Sequence, residues 1–509
     1  MDVDLLLHGG RIADGTGGPL LPADVGVCGG TLRVLPRGAV QPHVAREVLD
    51  ASGLILAPGF IDAHTHSDVA ALGDVDVATS HAAVLQGVTV EICGNCGTSA
   101  FPGAFGNFSE FARAHAESGR ANHIASLVGH GSLRAKVVGN AARAATVAEV
   151  DAMCTLLSEA LGAGAVGLSS GLIYTPGSYA DTAEIVALAA VAAQHGKPYV
   201  THLRDEMRHV DAGLAEAAEI ARRSGAALHV SHHKTAGKHA WGGTERTLPY
   251  LEALRDEGLD VTCDVYPYTA GSTGLAAMLP PWAHDGGTAY LLERLREPRE
   301  RALMRIAIDS GVPGWENTVG NVGWDRISVA GACRHPELQG LTIAQAADAC
   351  RLDPLDLVAE LLLAHDGDVT IVSHSMREDD VRRVLAAPFA MIGSDGVPKP
   401  GLPHPRWAGT FARVLGHYVR ELGLLSVQEA VRKMTGATAQ RFGLAGRGVI
   451  SDGAPADIVA FDPTAITDLA TFTEPLLAPR GVRAVIVDGR LVVLDGVLRP
   501  VRTGRVLRV

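Results

Sequence analysis

Eight short apolar runs, separated by stretches of helical length, constrain this chain more than any other feature. They read LILAPGFIDAH, GVTVEICG, ASLVGH, GAVGLSSG, PYVTHLR, ALHVSHH, DVTCDVYPY and FAMIGSDG. Apolar runs of about 4–8 residues without strict alternation fit strands covered on both faces, as in a parallel sheet. Between them lie amphipathic stretches such as DTAEIVALAAVAAQHG and DAGLAEAAEIARRSG. The first carries a start signal, Asp181 as N-cap with Glu184 three residues on. Strand and helix alternating eight times predicts an α/β fold of the (β/α)8 TIM-like barrel type. A ninth run, VTIVSHSM at 369–376, exceeds that count and reads as a short extra strand before the helix REDDVRRVLAA.

The flanks have a different texture. Residues 1–57 are short, alternating and glycine-punctuated (DLLLHGGRIAD, ADVGVCGGTLRVL), and so are residues 447–509 (ADIVAFD, GVRAVIVDGRLVVLDGVL). Both read as short strands and hairpins, and the two ends are expected to pair into one small β-sandwich domain. With 509 residues the chain is long enough for this domain beside a large one spanning 58–446. Residues 281–368 break the strand–helix rhythm and read as an insertion after barrel strand 7, a candidate lid.

Several function classes are disfavoured at once. A formal net charge of −12 argues against nucleic acid or an anionic membrane as partner. No apolar run reaches the roughly 18 residues of a membrane span. The start, MDVDLLLHGG, lacks the basic region of a signal peptide. Seven cysteines at wide spacing form no disulfide framework, so the chain reads as cytoplasmic with reduced thiols. A homo-oligomer is compatible with the sequence.

Chemistry gathers at the strand ends. In GFIDAHTH, His64 and His66 are two apart on a strand and are expected to project to one face. Two imidazoles on one face suit a divalent metal, and the C-terminal ends of barrel strands are where active sites sit. His202 closes PYVTHLRDE, His232 and His233 close LHVSHHK, and Asp395 closes MIGSDG. One such histidine would be an ordinary core residue; four strand ends with ligand types at the same edge point to a shared site. Cys93 and Cys96, in VEICGNCGTS, could be a redox dithiol or half a zinc knuckle. No helix-forming run starts there and no second C-x-x-C exists, so the two are read separately, Cys93 packing at a strand end and Cys96 in a glycine turn. Cys263 is expected in the core, and His374 in a structural role.

The set GFIDAHTH, GNCG, THLRDE, SHHK, DVYPY and GSDG resembles the amidohydrolase superfamily. With HPRWAGTF it resembles more narrowly the N-acyl-D-amino-acid deacylases (D-aminoacylases), from about residue 50 to about residue 460. The resemblance implies a zinc site of one or two ions. His64 and His66, with Asp395, would bind one metal. His202 and His232 would bind the other, and the Cys96 thiolate would bridge. His232 is preferred to His233 by its offset from His202, and successive strand residues point oppositely. Zinc accepts this mixed His/Cys/Asp set, and an open position makes such a site catalytic in type. Water on the metal approaches a pKa of ~7 and becomes a nucleophile, with Asp395 as general base and acid.

The implied substrate is a small N-acylated amino acid, which carries an α-carboxylate. By the same resemblance Arg406 would hold that carboxylate, with donors from Lys234, Tyr174, Tyr266 and Ser272. The expected reaction is hydrolysis of N-acyl-D-amino acids to a carboxylate and a D-amino acid. Two other readings compete. A cyclic-amide hydrolase of the hydantoinase or dihydroorotase type would need a lysine at a central strand end, where GAVGLSSGL has none. A catalytically silent barrel serving as a scaffold would show broken ligands.

Overall fold

The computed structural model describes residues 3–68 and 77–509. Each of the eight apolar runs contains a strand of the α/β core. Three strands form one parallel sheet: Phe60–Asp62, Val88–Cys93 and His123–Ser126. Six form another, also parallel, in the order Val128–Gly129, Leu168–Gly171, Tyr199–His202, Leu228–Val230, Val261–Val265 and Ala390–Ile392. The third run contributes to both sheets and breaks at Leu127, whose N–H donates to Cys93 O. At the far edge the last strand returns to the first. Ala63 N–H donates to Ile392 O (3.2 Å), Asp395 N–H to His64 O (2.7 Å), and Thr65 bridges Gly396 in parallel.

The connecting helices follow the capping signals. Thr182–Gln194 starts at Asp181, whose side chain accepts from Glu184 N–H. Val210–Ser224 ends at Gly225 in the left-handed region, a common helix stop. Ile185, Leu188, Leu214 and Ala218 on these helices are buried in one cluster with the strand residues Leu168, Tyr199 and Leu228. A further cluster gathers Ile61, Val90, Ile92, Ala125, Val200 and Met391 from the parallel strands and includes Phe442, Leu444 and Leu507. Leu507 belongs to the C-terminal tail, which lies along the third strand. Its N–H donates to Ile124 O (2.7 Å), and Ile124 N–H donates to Arg505 O (3.0 Å).

The first run, LILAPGFIDAH, is two strands rather than one. Ile55–Pro58 belongs to a sheet that also takes Ile458–Phe461, Val482–Val487 and Arg490–Leu494 from the C-terminal end. Phe60–Asp62 belongs to the α/β core. Gly59 alone separates them, and a Cβ there would stand 2.2 Å from the Thr89 side chain. A second terminal sheet, of four strands, comes from residues 3–50. The two terminal sheets share one core of Leu5, Leu7, Val25, Leu56, Ile458, Ala484 and Ile486.

The ninth run is a strand, Thr370–Ser373, at the centre of a three-stranded antiparallel sheet, and the helix Glu378–Ala386 follows it. The neighbours of this strand are Gly271–Gly274 and Ile327–Gly331. The helices Thr288–Arg296, Pro298–Ser310, Ile343–Cys350 and Pro354–Ala364 share a separate apolar cluster with this sheet, built on Leu295, Met304, Ala346, Leu361 and Ile371. This part of the chain therefore carries a core of its own beside the parallel strands.

Candidate metal centre

At and just beyond the C-terminal ends of the parallel strands, His64, His66, Cys96, His202, His232 and Asp395 come together. Cys96 Sγ lies 3.3 Å from His64 Nε2, 3.4 Å from His232 Nε2 and 3.8 Å from His202 Nδ1. Asp395 Oδ1 lies 3.1 Å from His66 Nε2 and 3.5 Å from His64 Nε2. The donor atoms of His64, Cys96 and His232 fall within 4.8 Å of one another, as do those of His64, His66 and Asp395. Two details differ from the sequence expectation. His64 and His66 lie past the end of their strand at Asp62, in the segment that bridges to Gly396. The sixth strand likewise ends at Val230, so His232 and His233 diverge in the turn beyond it. His233 points away from the cluster, with Nε2 2.9 Å from Thr247 Oγ1.

The backbone is bent to make this convergence. Cys96 has φ of 51°, His232 of 33° and Asp395 of 50°, all in the left-handed region. Such conformations cost about 1 kcal/mol or more each for residues with a Cβ, and persist where surrounding structure enforces them. Around Cys96 the turn is tight on both sides. Thr98 N–H donates to Asn95 O, and a Cβ on Gly171 would meet Cys96 O at 2.2 Å. Cys93 ends its strand, fully buried, with Sγ 3.7 Å from Ala125 O. Cys263 is buried within its own strand, and the His374 ring packs edge-on against Phe472.

Electrostatics favours a cation among these donors. Burial pushes the Cys96 thiol up, but His64, His232 and His202 together hold it well below the ordinary cysteine range. A buried thiolate beside imidazoles, with a carboxylate nearby, combines soft and hard donors that zinc accepts. The histidines are also oriented from behind. Asp264 Oδ2 lies 3.3 Å from His64 Nδ1, so it stabilises the tautomer that leaves Nε2 free to accept a metal. Glu206 Oε1 lies 3.0 Å from His232 Nδ1, and Lys234 Nζ stands 2.7 Å from the same nitrogen. Nε2 is thus turned to the Cys96 sulfur, while Nδ1 faces Glu206 and Lys234, which hold the ring from behind. The residues present therefore fit a metal ion.

Glu206 and Asp264 give no sign of these roles in the sequence, although both lie inside quoted motifs, THLRDE and DVYPY. Glu206 also takes a hydrogen bond from Lys234 Nζ (2.6 Å). Burial opposes its charge, but His202, Lys234 and His232 hold its carboxyl well below the usual range. Asp62, the acid of GFIDAH, accepts from the N–H groups of His64 (3.2 Å) and Ser394 (2.7 Å) and so ties the first strand to the last. Burial pushes its carboxyl up to about 7.

A cavity of about 680 Å3 opens over the cluster. The five residues assigned by resemblance to the substrate all line it: Tyr174, Lys234, Tyr266, Ser272 and Arg406. Arg406 is buried, and its guanidinium is already engaged. Nη1 lies 2.8 Å from Asp395 Oδ2, Nη2 donates to Ser272 O (3.2 Å), and Cζ lies 4.7 Å from the centre of the Tyr266 ring. Burial disfavours charge on Asp395, yet Arg406 and His64 hold its carboxyl well below the usual range. The Tyr174 hydroxyl accepts from Thr273 Oγ1 (3.1 Å), which places a residue of the antiparallel sheet at the cavity wall.

A family model described as "Amidohydrolase family" matches residues 47–493, and the chain belongs to that family. It is 37% identical to a D-aminoacylase of Alcaligenes xylosoxydans xylosoxydans, over 99% of this chain and 97% of the relative. It also resembles a solved D-aminoacylase studied for the functional role of its binuclear metal centre, with one-metal activation and second-metal attenuation. That likeness has a TM-score of 0.85 at 35% identity and covers 99% of this chain and all of the other. An N-acyl-D-glutamate deacylase from Bordetella bronchiseptica, solved with zinc and a phosphonate mimic of the tetrahedral intermediate, gives a TM-score of 0.84 at 35% identity with both chains fully covered. The α/β fold is that of the solved D-aminoacylases.

Proposed function

We propose that this protein is a zinc-dependent hydrolase of N-acyl-D-amino acids, releasing a carboxylate and a D-amino acid. The observation that carries the reading is the convergence of His64, His66, Cys96, His202, His232 and Asp395 under one cavity. His64 and His66, with Asp395, would hold one metal, and His202 and His232 the other, with Cys96 between them. Bound there, zinc supplies Lewis acidity toward the amide carbonyl and acidifies water at neutral pH.

The chain's own groups do the rest. Arg406, Lys234, Tyr174, Tyr266 and Ser272 surround the place where an α-carboxylate binds. Asp395 Oδ1, the oxygen that Arg406 does not hold, takes a proton from the attacking water and returns it to the leaving nitrogen. The pairing with Arg406 keeps this carboxyl ionised before the reaction, as a general base must be. Seclusion of the cluster beneath the cavity limits competing water.

The same reading extends to the architecture. Residues 58–446 form a closed (β/α)8 barrel, supported by the hydrogen bonds from Ala63 to Ile392 and from Asp395 to His64. Residues 1–57 and 447–509 form a β-sandwich, supported by their shared core. Residues 281–368 are an insertion that acts as a lid, supported by Trp315, Glu316 and Asp368 in the cavity wall. A cytoplasmic location fits seven free cysteines. Among the described residues, no helix is long and apolar enough to cross a membrane.

A panel of N-acetyl-D- and N-acetyl-L-amino acids, with zinc measured on the same preparation, tests the reading. Hydrolysis of D-forms that stops on chelation and returns with zinc is expected. Activity on L-forms only, or activity indifferent to chelator, overturns it. A cyclic-amide hydrolase is disfavoured because Leu168–Gly171 ends without a lysine and Cys96 takes the central place.

A further inference from the structure

The charges around the cavity are unevenly matched. Apart from histidines, its lining includes the cations Lys234, Lys399 and Arg406. Each is already committed to a carboxylate: Lys234 to Glu206, Arg406 to Asp395 and Lys399 to Asp368. Glu316 is different. It is only 7% exposed and lines the cavity beside Trp315. Its Oε2 accepts from Glu206 N–H (2.5 Å). Among the described residues, that is its one hydrogen bond, and no cation stands within ion-pair distance of it.

An unpaired carboxyl facing a cavity and backed by Glu206 and Asp205 is costly to ionise unless a partner arrives. Burial and those two acids push its carboxyl well up, against the pull of Lys234. The surroundings suit a cation with a long stem. Met207 and Met278 supply flexible apolar wall, and Trp315 supplies an aromatic face.

We infer that Glu316 and Trp315 form a side-chain subsite for a cation, so that the preferred substrates are N-acyl-D-amino acids with a basic side chain, of the lysine or arginine type. This rests on the deacylase reading above and adds the side-chain class to it. An apolar side chain leaves Glu316 unpaired, and an acidic one adds a further negative charge beside it.

The test compares kcat/KM for N-acetyl-D-lysine, N-acetyl-D-arginine, N-acetyl-D-methionine and N-acetyl-D-glutamate on the zinc-loaded full chain. The basic substrates are expected to lead methionine by about tenfold or more, the scale of one charge-assisted contact. Glu316→Gln keeps an oxygen for Glu206 N–H and removes the charge, and the lysine-to-methionine ratio should fall close to one. Wild-type protein that favours methionine or glutamate overturns the subsite, as does a ratio unmoved by Glu316→Gln. Wild-type protein that cleaves none of the four overturns the deacylase reading, and the subsite with it.

Discussion

Asp264 holds His64 from behind: its Oδ2 lies 3.3 Å from His64 Nδ1 and 2.9 Å from His229 Nε2, while its Oδ1 accepts from His232 N–H. One carboxylate therefore fixes a ring beyond the first strand and the backbone of another beyond the sixth. Burial opposes its charge, but His64 and His229 hold it well below the usual carboxylate range. Asp264→Asn should weaken metal retention by roughly 10–100-fold, the usual scale for losing a partner behind a ligand. Zinc content after dialysis against graded chelator reads this directly, and retention equal to wild type would contradict the role.

The two cysteines of VEICGNCG should separate cleanly. Cys96→Ala removes the sulfur that three imidazoles surround, and zinc content and kcat/KM should both collapse, by more than about 100-fold for the rate. Cys93→Ala removes one buried atom and should cost about 1 kcal/mol of stability with activity retained. Equal loss in both variants would favour a dithiol.

Mild acid should destabilise the fold through His115. Burial, with Arg120 nearby, lowers its pKa to about 4 from an ordinary value of 6.5, and its Nε2 donates to Asp68 O (2.8 Å). Between those values the unfolded chain binds the extra proton. The stabilisation is therefore full above pH 6.5 and is lost as pH falls toward 4. At pH 5 the loss from this one group is on the order of 2 kcal/mol. Urea midpoints at pH 7 and pH 5 measure the drop, and His115→Gln should shrink it. A drop of the same size in His115→Gln would refute its share.

The C-terminal tail should matter for stability and not for chemistry. Leu507 is buried with Ile61, Val90 and Phe442 and is hydrogen-bonded to Ile124 through its backbone. Leu507→Ala should lower the unfolding free energy by about 2–3 kcal/mol. The kcat/KM of the zinc-loaded variant should stay at the wild-type value, since the tail pairs near the start of the third strand and the donors gather at and just beyond the strands' other ends. Loss of rate without loss of stability would contradict this.

Much of the molecule is legible in the sequence because its signals are local. The eight runs declare themselves by apolarity, Asp181 and Glu184 by spacing, and His64 and His66 by a period of two. What stays hidden depends on pairing across long separations. Gly271–Gly274 is not among the apolar runs and becomes a strand because Thr370–Ser373 lies beside it. The break of LILAPGFIDAH at Gly59 follows from the partners on either side, Ile458–Phe461 for one half and Val88–Cys93 for the other. Glu206 and Asp264 carry no spacing signal of their own, because their work is defined by rings that reach them from other strands. Arg406 is visible as a cation near Asp395, but its burial and its ion pair with that carboxylate are not.

Gly59 also has a mechanical meaning. A single residue separates the strand that enters the terminal sheets from the strand that leads to His64 and His66, so there is no hinge to absorb motion between them. Whatever fastens the histidine end must also fasten the terminal layer. Metal loading should therefore slow amide exchange in Ile458–Phe461, which pairs with Ile55–Pro58, as well as in the strands that carry the donors.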